Sequence, residues 1–252
     1  MLLYTQSFGS GRPLVCLHGF LGSGDNLWPL ADHLKASHQA WLLDLRGHGR
    51  SPHGRPYTLE GMAQDVAETL RDRGLADVDV VGHSLGGKVA MALALHHPSL
   101  VRRLALADIT MAQAQPYFGF LLDAMEATPV ATLSRRDEAE PYLREAEPVL
   151  EVRRFLLKNL IAVEGGGFKW RFDLEGLRDD HPKILAQVLE APPWGKPALL
   201  LHGSSSELVT PDGIALTLQS FPALKVMDLP GGHWIHVDAK EQFNAAVADF
   251  LA

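Results

Sequence analysis

The stretch Gly82-His83-Ser84-Leu85-Gly86-Gly87 holds a serine between glycines in the pattern G-x-S-x-G. Residues 78–81 before it read as a buried strand, and the run after it, to residue 97, as a helix. A sharp strand-to-helix turn forces the residue at its tip into a strained backbone conformation and crowds its neighbours. Glycine at both flanking positions relieves that clash. The Ser84 hydroxyl then stands exposed, and the helix start beyond it offers N–H groups and a positive dipole end. The chemistry this suits is nucleophilic attack on a carbonyl, followed by acyl transfer.

Such a hydroxyl needs a base. Of the twelve histidines, His233 in Pro230-Gly231-Gly232-His233-Trp234 follows the last expected strand and precedes the last expected helix, where the chain order Ser, acid, His requires it. An imidazole titrates near about 6.5, so at neutral pH it can take the serine proton and return it. His236 is the rival; His96, His97, His181 and His202 read as structural. The carbonyl oxygen needs two donors. Leu85 N–H, just after the nucleophile, is one, and Phe20 N–H, in the His18-Gly19-Phe20 loop at a neighbouring strand end, is placed to be the other. His18 reads as a structural hydrogen-bonder. The acid stays open on the residues alone. The G-x-x-D loop where such an acid usually lies reads Gly203-Ser204-Ser205-Ser206-Glu207, and Ser206 cannot carry the charge that steadies an imidazolium. Asp108, at the end of the strand after the nucleophile's helix, and Glu207, one residue late, are the two candidates.

These groups need a scaffold. Segments 14–17, 39–45, 78–81, 104–107, 198–201 and 225–229 read as strands, and 26–37, 59–73, 86–96, 211–220 and 240–252 as helices. Strands that are apolar at nearly every position and alternate with helices imply an α/β fold with a mostly parallel sheet covered on both faces. Residues 2–8 add an antiparallel edge strand. From 111 to 196 the alternation stops: 113–127, 137–146, 149–163 and 182–189 read as helices, with a Gly165-Gly166-Gly167 turn and an extended 168–172. An insertion of roughly 85 residues is too long for a connecting loop. It reads as a helical cap (111–196) within a single core formed by 1–110 and 197–252, lying over the strand ends where open α/β sheets bind ligands. Trp170, Trp234, Phe118 and Phe120 are candidates to line an apolar acyl pocket beneath it, or simply core. Lys88 reads as a surface or supporting residue rather than a catalytic one.

The composition excludes several classes. With 252 residues, 46% hydrophobic, 21% charged and a net charge of -7, the chain is an ordinary globular one without the basic surface that nucleic acid requires. Cys16 is the only cysteine, so no intramolecular disulfide can form, and its apolar surroundings suit a buried thiol. No apolar run is long enough to span a membrane, and the start of the chain does not resemble a signal peptide, which favours the cytoplasm. There is no metal-ligand spacing and no nucleotide-binding glycine loop, so no cofactor is expected. The titratable cluster Asp44-Leu45-Arg46-Gly47-His48-Gly49-Arg50-Ser51 reads as structural, with Arg46 and Asp44 fixing a turn beside the site.

With these signatures in place, the sequence resembles the α/β-hydrolase superfamily, and more closely the small bacterial carboxylesterases of the YbfF type. The likeness runs through His18–Ser23 with Asp25-Asn26-Leu27, Asp44–Gly49 with Ser51-Pro52, Met62-Ala63-Gln64-Asp65, and Gly82–Lys88. It continues in Phe155-Leu156-Leu157-Lys158, Trp170-Arg171-Phe172 and Gly232-His233-Trp234. The resemblance implies Asp108, in its Ala-Asp-Ile context, as the acid, and a serine carboxylesterase acting on small-molecule esters. A thioesterase would use the same residues. A C–C hydrolase or lyase of this fold ordinarily keeps the acid in the later loop, where Ser206 stands. A non-catalytic ligand receptor is a further possibility from another class.

Overall fold

A computed structural model describes residues 1–114, 119–188 and 191–252. The core begins with β1 (Thr5–Gly9), β2 (Arg12–Leu17), α1 (Trp28–Leu34), β3 (His38–Leu43), α2 (Leu59–Asp72), β4 (Val78–His83), α3 (Leu85–His96) and β5 (Val101–Ala107). The insertion then carries α4 (Gly119–Ala127), α5 (Glu140–Leu143), α6 (Leu150–Leu157), β6 (Leu160–Ala162), β7 (Phe168–Trp170), α7 (Leu174–Asp179) and α8 (His181–Ile184). The chain returns to the core with β8 (Ala198–Gly203), α9 (Pro211–Ser220), β9 (Leu224–Leu229), α10 (Ile235–Asp238) and α11 (Lys240–Leu251).

Seven strands form one sheet in the order β1-β3-β2-β4-β5-β8-β9. Every pairing is parallel except that of β1 with β3, which is antiparallel as the edge position of β1 suggested. Because side chains alternate across a strand, the apolar runs supply two cores. Val15, Leu17 and Val80 face the layer that contains α2, α3 and the insertion. Leu14, Cys16 and Val81 face the layer built on α1 and α11. Strand β4 is buried along its whole length, and every residue of α3 from Leu85 to Leu95 is buried. An element covered on all sides needs apolar or small residues all round, which is how Val89-Ala90-Met91-Ala92-Leu93-Ala94 reads. At the start of α2, by contrast, Thr58 accepts from Gly61 N–H, a side-chain cap on an amphipathic surface helix.

The insertion differs from expectation in its local structure. The helix expected over 149–163 ends at Leu157, and Leu160–Ala162 pairs antiparallel with Phe168–Trp170 instead. The glycines at 165–167, all at positive φ, close that hairpin, and they make extended pairing available to the β-branched residues before them. The helix expected over 137–146 is a 3-10 turn at Arg136–Ala139 followed by the short α5, with Pro141 in its first turn. Those expected over 113–127 and 182–189 are observed as α4 and the short α8, and Phe118 and residue 189 lie outside the described residues. Polar contacts hold the insertion against the core: Asn159 Nδ2 donates to Leu21 O at 2.9 Å, and Tyr57 O–H donates to Asp173 at 2.5 Å. Arg55 pairs with the buried Asp180, which also accepts from Tyr57 N–H at 2.9 Å.

Candidate active site

The turn after β4 carries Ser84 at φ 52 and ψ -117, a strained combination for a residue with a side chain. It is held from both sides, since Ser84 N–H donates to Ala107 O at 3.1 Å and Ser84 O accepts from Gly87 and Lys88 N–H. The flanking glycines have steric reasons. A Cβ on Gly82 would lie 2.4 Å from Gly86 O, and one on Gly86 would lie 2.2 Å from Leu17 O. Either contact would push α3 off the end of the sheet.

Three side chains converge here. His233 Nε2 lies 2.9 Å from Ser84 Oγ, and His233 Nδ1 lies 2.8 Å from Asp108 Oδ2. Asp108 follows β5, is fully buried and sits at φ 53. Its other oxygen accepts from Gly203 N–H at 2.9 Å, and Oδ2 also accepts from Ser206 O–H at 2.5 Å. A carboxylate can only accept, so His233 Nδ1 carries the proton and Nε2 is left to accept from Ser84 O–H. Glu207, the other candidate acid, is exposed to solvent and the imidazole meets Asp108 instead. Ser206 thus occupies the usual acid position and donates to the carboxylate that has come from the neighbouring strand.

A layer of neutral histidines surrounds this line. His83 is buried and donates from Nε2 to His233 O at 3.0 Å, so the residue beside Ser84 fixes the loop that carries the imidazole. Desolvation, aided by His236 and His233, holds His83 well below the ordinary imidazole value. His18 accepts from Leu45 N–H at Nε2 and donates from Nδ1 to Gly19 O, the structural role expected of it, and burial pulls it down to about 4. His236 is buried with its ring 4.3 Å from that of His83, and desolvation brings it to about 4; the imidazole bonded to Ser84 Oγ is that of His233. In the fixed turn nearby, Asp44 accepts from Gly24 and Arg50 N–H, and Arg46 is paired with Asp65 at 2.5 Å.

Ser84 opens into a partly open cavity of about 40 Å³. On the core side it is lined by Phe20, Leu85, Lys88, Ile109 and Leu208, and on the insertion side by Ala114, His181, Ile184 and Leu185. Phe20 and Leu85 therefore border the space in front of Ser84, with the Phe20 ring stacked on His181 at 5.3 Å. Three of the aromatic residues expected in this pocket lie elsewhere, and the fourth, Phe118, is outside the described residues. Phe120 is 82% exposed, Trp170 stacks on Phe172 and donates to Met125 O, and Trp234 packs against His83 and Phe155. Lys88, expected at the surface or in a supporting place, is buried and reaches the cavity. His83 and Lys88 were legible in principle, since both sit within one turn of the serine. Among the described residues no group of three His, Cys, Asp or Glu side chains could hold a metal.

A parallel sheet with a strained serine after β4 and an imidazole delivered before α11 is the architecture of an α/β hydrolase. The chain belongs to that family: its model, described as the alpha/beta hydrolase fold, matches residues 12–139. Among curated relatives, the chain is 35% identical over 248 residues to the sn-1-specific diacylglycerol lipase ABHD11 of Mus musculus, covering 95% of this chain and 80% of that one. It is 30% identical over 249 residues to esterase YbfF of Escherichia coli, covering 98% and 96%. Among solved structures, one described as a marine microorganism esterase superposes with a TM-score of 0.95 at 33% identity, covering 99% of both chains.

Proposed function

We propose that the protein is a serine carboxylesterase that hydrolyses small-molecule carboxylic esters of short to medium acyl chain, with Ser84, His233 and Asp108 as nucleophile, base and acid. The observation that carries this reading is the single imidazole hydrogen-bonded at one nitrogen to the strained Ser84 hydroxyl and at the other to a buried carboxylate. The relatives named esterase and lipase support an ester-bond hydrolase.

In the first step Ser84 Oγ attacks the ester carbonyl carbon while its proton passes to His233 Nε2. The resulting imidazolium is balanced by Asp108, whose charge is itself held by Gly203 N–H and Ser206 O–H. The carbonyl oxygen, now negative, accepts from the backbone N–H groups of Phe20 and Leu85. Collapse breaks the ester C–O bond, the alcohol leaves with the proton from His233, and the acyl group stays on Ser84. Water, deprotonated by the same imidazole, then attacks the acyl-enzyme; the acid departs and Ser84 recovers its proton. The insertion acts as the cap that walls this space.

A fluorophosphonate probe tests the assignment. It should label the wild type at Ser84 and leave Ser84→Ala unlabelled, and p-nitrophenyl ester turnover should disappear with the label. Labelling that survives in Ser84→Ala would place the nucleophile elsewhere.

A further inference from the structure

The chain crosses between core and insertion twice, and the two crossings lie side by side. Outward, the chain runs through residues 111–114; on its return it runs through 185–188. Ala114 N–H donates to Leu185 O at 2.9 Å and Val188 N–H donates to Met111 O at 3.0 Å, which ties the pair at both ends. Between those ties, two carbonyls turn toward the core, Ala112 O and Ala186 O. Both accept from one group: Lys88 Nζ lies 2.5 Å from the first and 2.8 Å from the second.

Lys88 is one helical turn beyond Ser84 and only 2% exposed. Burying an ammonium is costly, and a methionine would fill the same stem volume without that cost. Carbonyl dipoles alone meet this charge in the two bonds described, and desolvation pulls the amine down to about 8, which still leaves it largely protonated near neutrality. What the charge provides that packing would not is a directed hold on two separate main-chain segments at once. Those segments also form part of the cavity's wall, because Ala114 and Leu185 line it together with Ser84 and Lys88. The position of the wall thus depends on the position of the ammonium.

We propose that Lys88 is a positioning residue that clasps the two crossings of the insertion together and thereby sets which acyl groups fit beside Ser84. This rests on the esterase reading of the same cavity, in which the Lys88 ammonium bonds to Ala112 O and Ala186 O and only the backbone N–H of Lys88 meets Ser84. With the clasp closed the space admits small acyl groups; with it open the wall can retreat and longer ones enter.

The test compares wild type with Lys88→Met, Lys88→Gln and Lys88→Arg by amide hydrogen exchange and on p-nitrophenyl esters from acetate to octanoate. In Met and Gln variants, exchange over 111–114 and 185–188 should rise at least about tenfold while β4 and β5 remain protected. The ratio of kcat/KM for octanoate over acetate should rise at least about fivefold, with the change in KM for octanoate and little change in kcat for acetate. The Arg variant, which keeps a charged donor, should fall between these and wild type. Unchanged exchange in both segments, or an unchanged chain-length ratio in a folded Met or Gln variant, overturns the proposal. The wild type supplies a reading that needs no variant to fold: Ala114 and Val188 amides should open together, and rates more than about tenfold apart would overturn a shared clasp. If the wild type turns over no ester, the esterase reading fails, while the exchange measurements still judge the clasp.

Discussion

Asp108→Asn keeps the shape of the side chain and removes its charge. In the folded protein the carboxylate accepts from Gly203 N–H at 2.9 Å, from Ser206 O–H at 2.5 Å and from His233 Nδ1–H at 2.8 Å. An amide has only one accepting oxygen. If that oxygen stays with Gly203, the NH₂ group faces His233 Nδ1 and can only donate to it, so the imidazole proton moves to Nε2 and points at Ser84. An imidazole protonated there cannot take the serine proton. The reversed amide would oppose its NH₂ to Gly203 N–H in a fully buried place, at about 1–3 kcal/mol, so the unproductive arrangement prevails. The same substitution in a chymotrypsin-like triad lowers turnover by about 10⁴. At about 1.36 kcal/mol per decade this is a barrier increase of about 5.4 kcal/mol. The assay is steady-state hydrolysis of p-nitrophenyl acetate beside a thermal melt: kcat should fall by about 10⁴ and KM move by less than about threefold. The melt should stay cooperative. A loss of less than about tenfold for Asp108→Asn, with a large loss for Glu207→Gln, would refute the reasoning.

Three further outcomes are expected. Ser206→Ala removes one of the donors to the Asp108 carboxylate and should lower kcat/KM by roughly tenfold, a bond to a charged group being worth about 1.5–3 kcal/mol; a loss as large as that of Asp108→Asn would give Ser206 a different role. Gly86→Ala would set a Cβ 2.2 Å from Leu17 O and 2.6 Å from His18 O, and should lower the melting temperature by more than about 10 °C or prevent folding. His18 and His236, each held at about 4 by desolvation, bind their proton less readily folded than unfolded, where an imidazole titrates near about 6.5. The unfolded chain therefore takes up more protons between those values, and stability falls as pH drops through that window, by about 2 kcal/mol for each histidine at about pH 5. Urea unfolding at a series of pH values measures this, and greater stability on acidification would contradict it.

The parts legible in the sequence were those whose cause is local. Gly82 and Gly86 announce the turn at Ser84 because the clash they avoid lies within a few residues or against the adjacent strand end. The buried strands β2, β4, β5 and β8 could be read because burial on both faces leaves almost no polar positions in them. His233 followed from its place between the last strand and the last helix. Asp108 could not be separated from Glu207 by pattern, since the choice depends on which strand end faces the imidazole after β5 and β8 have paired. Ser206 is hidden for the same reason: its partner is a carboxylate distant in the chain. The insertion was the least legible. Its helices are short, its hairpin depends on three glycines whose neighbours also suit a helix, and Trp170 there serves its own packing rather than the cavity.

Strand order has a consequence for how such a protein can vary. The serine hydroxyl and the aspartate carboxylate stand on β4 and β5, neighbours in the sheet and both complete before the chain departs at residue 111. Only the imidazole arrives afterwards. The excursion between β5 and β8 can therefore lengthen, shorten or be rebuilt for a different guest without altering the spacing of the first two groups, so long as β8 and β9 return to bring the third one home.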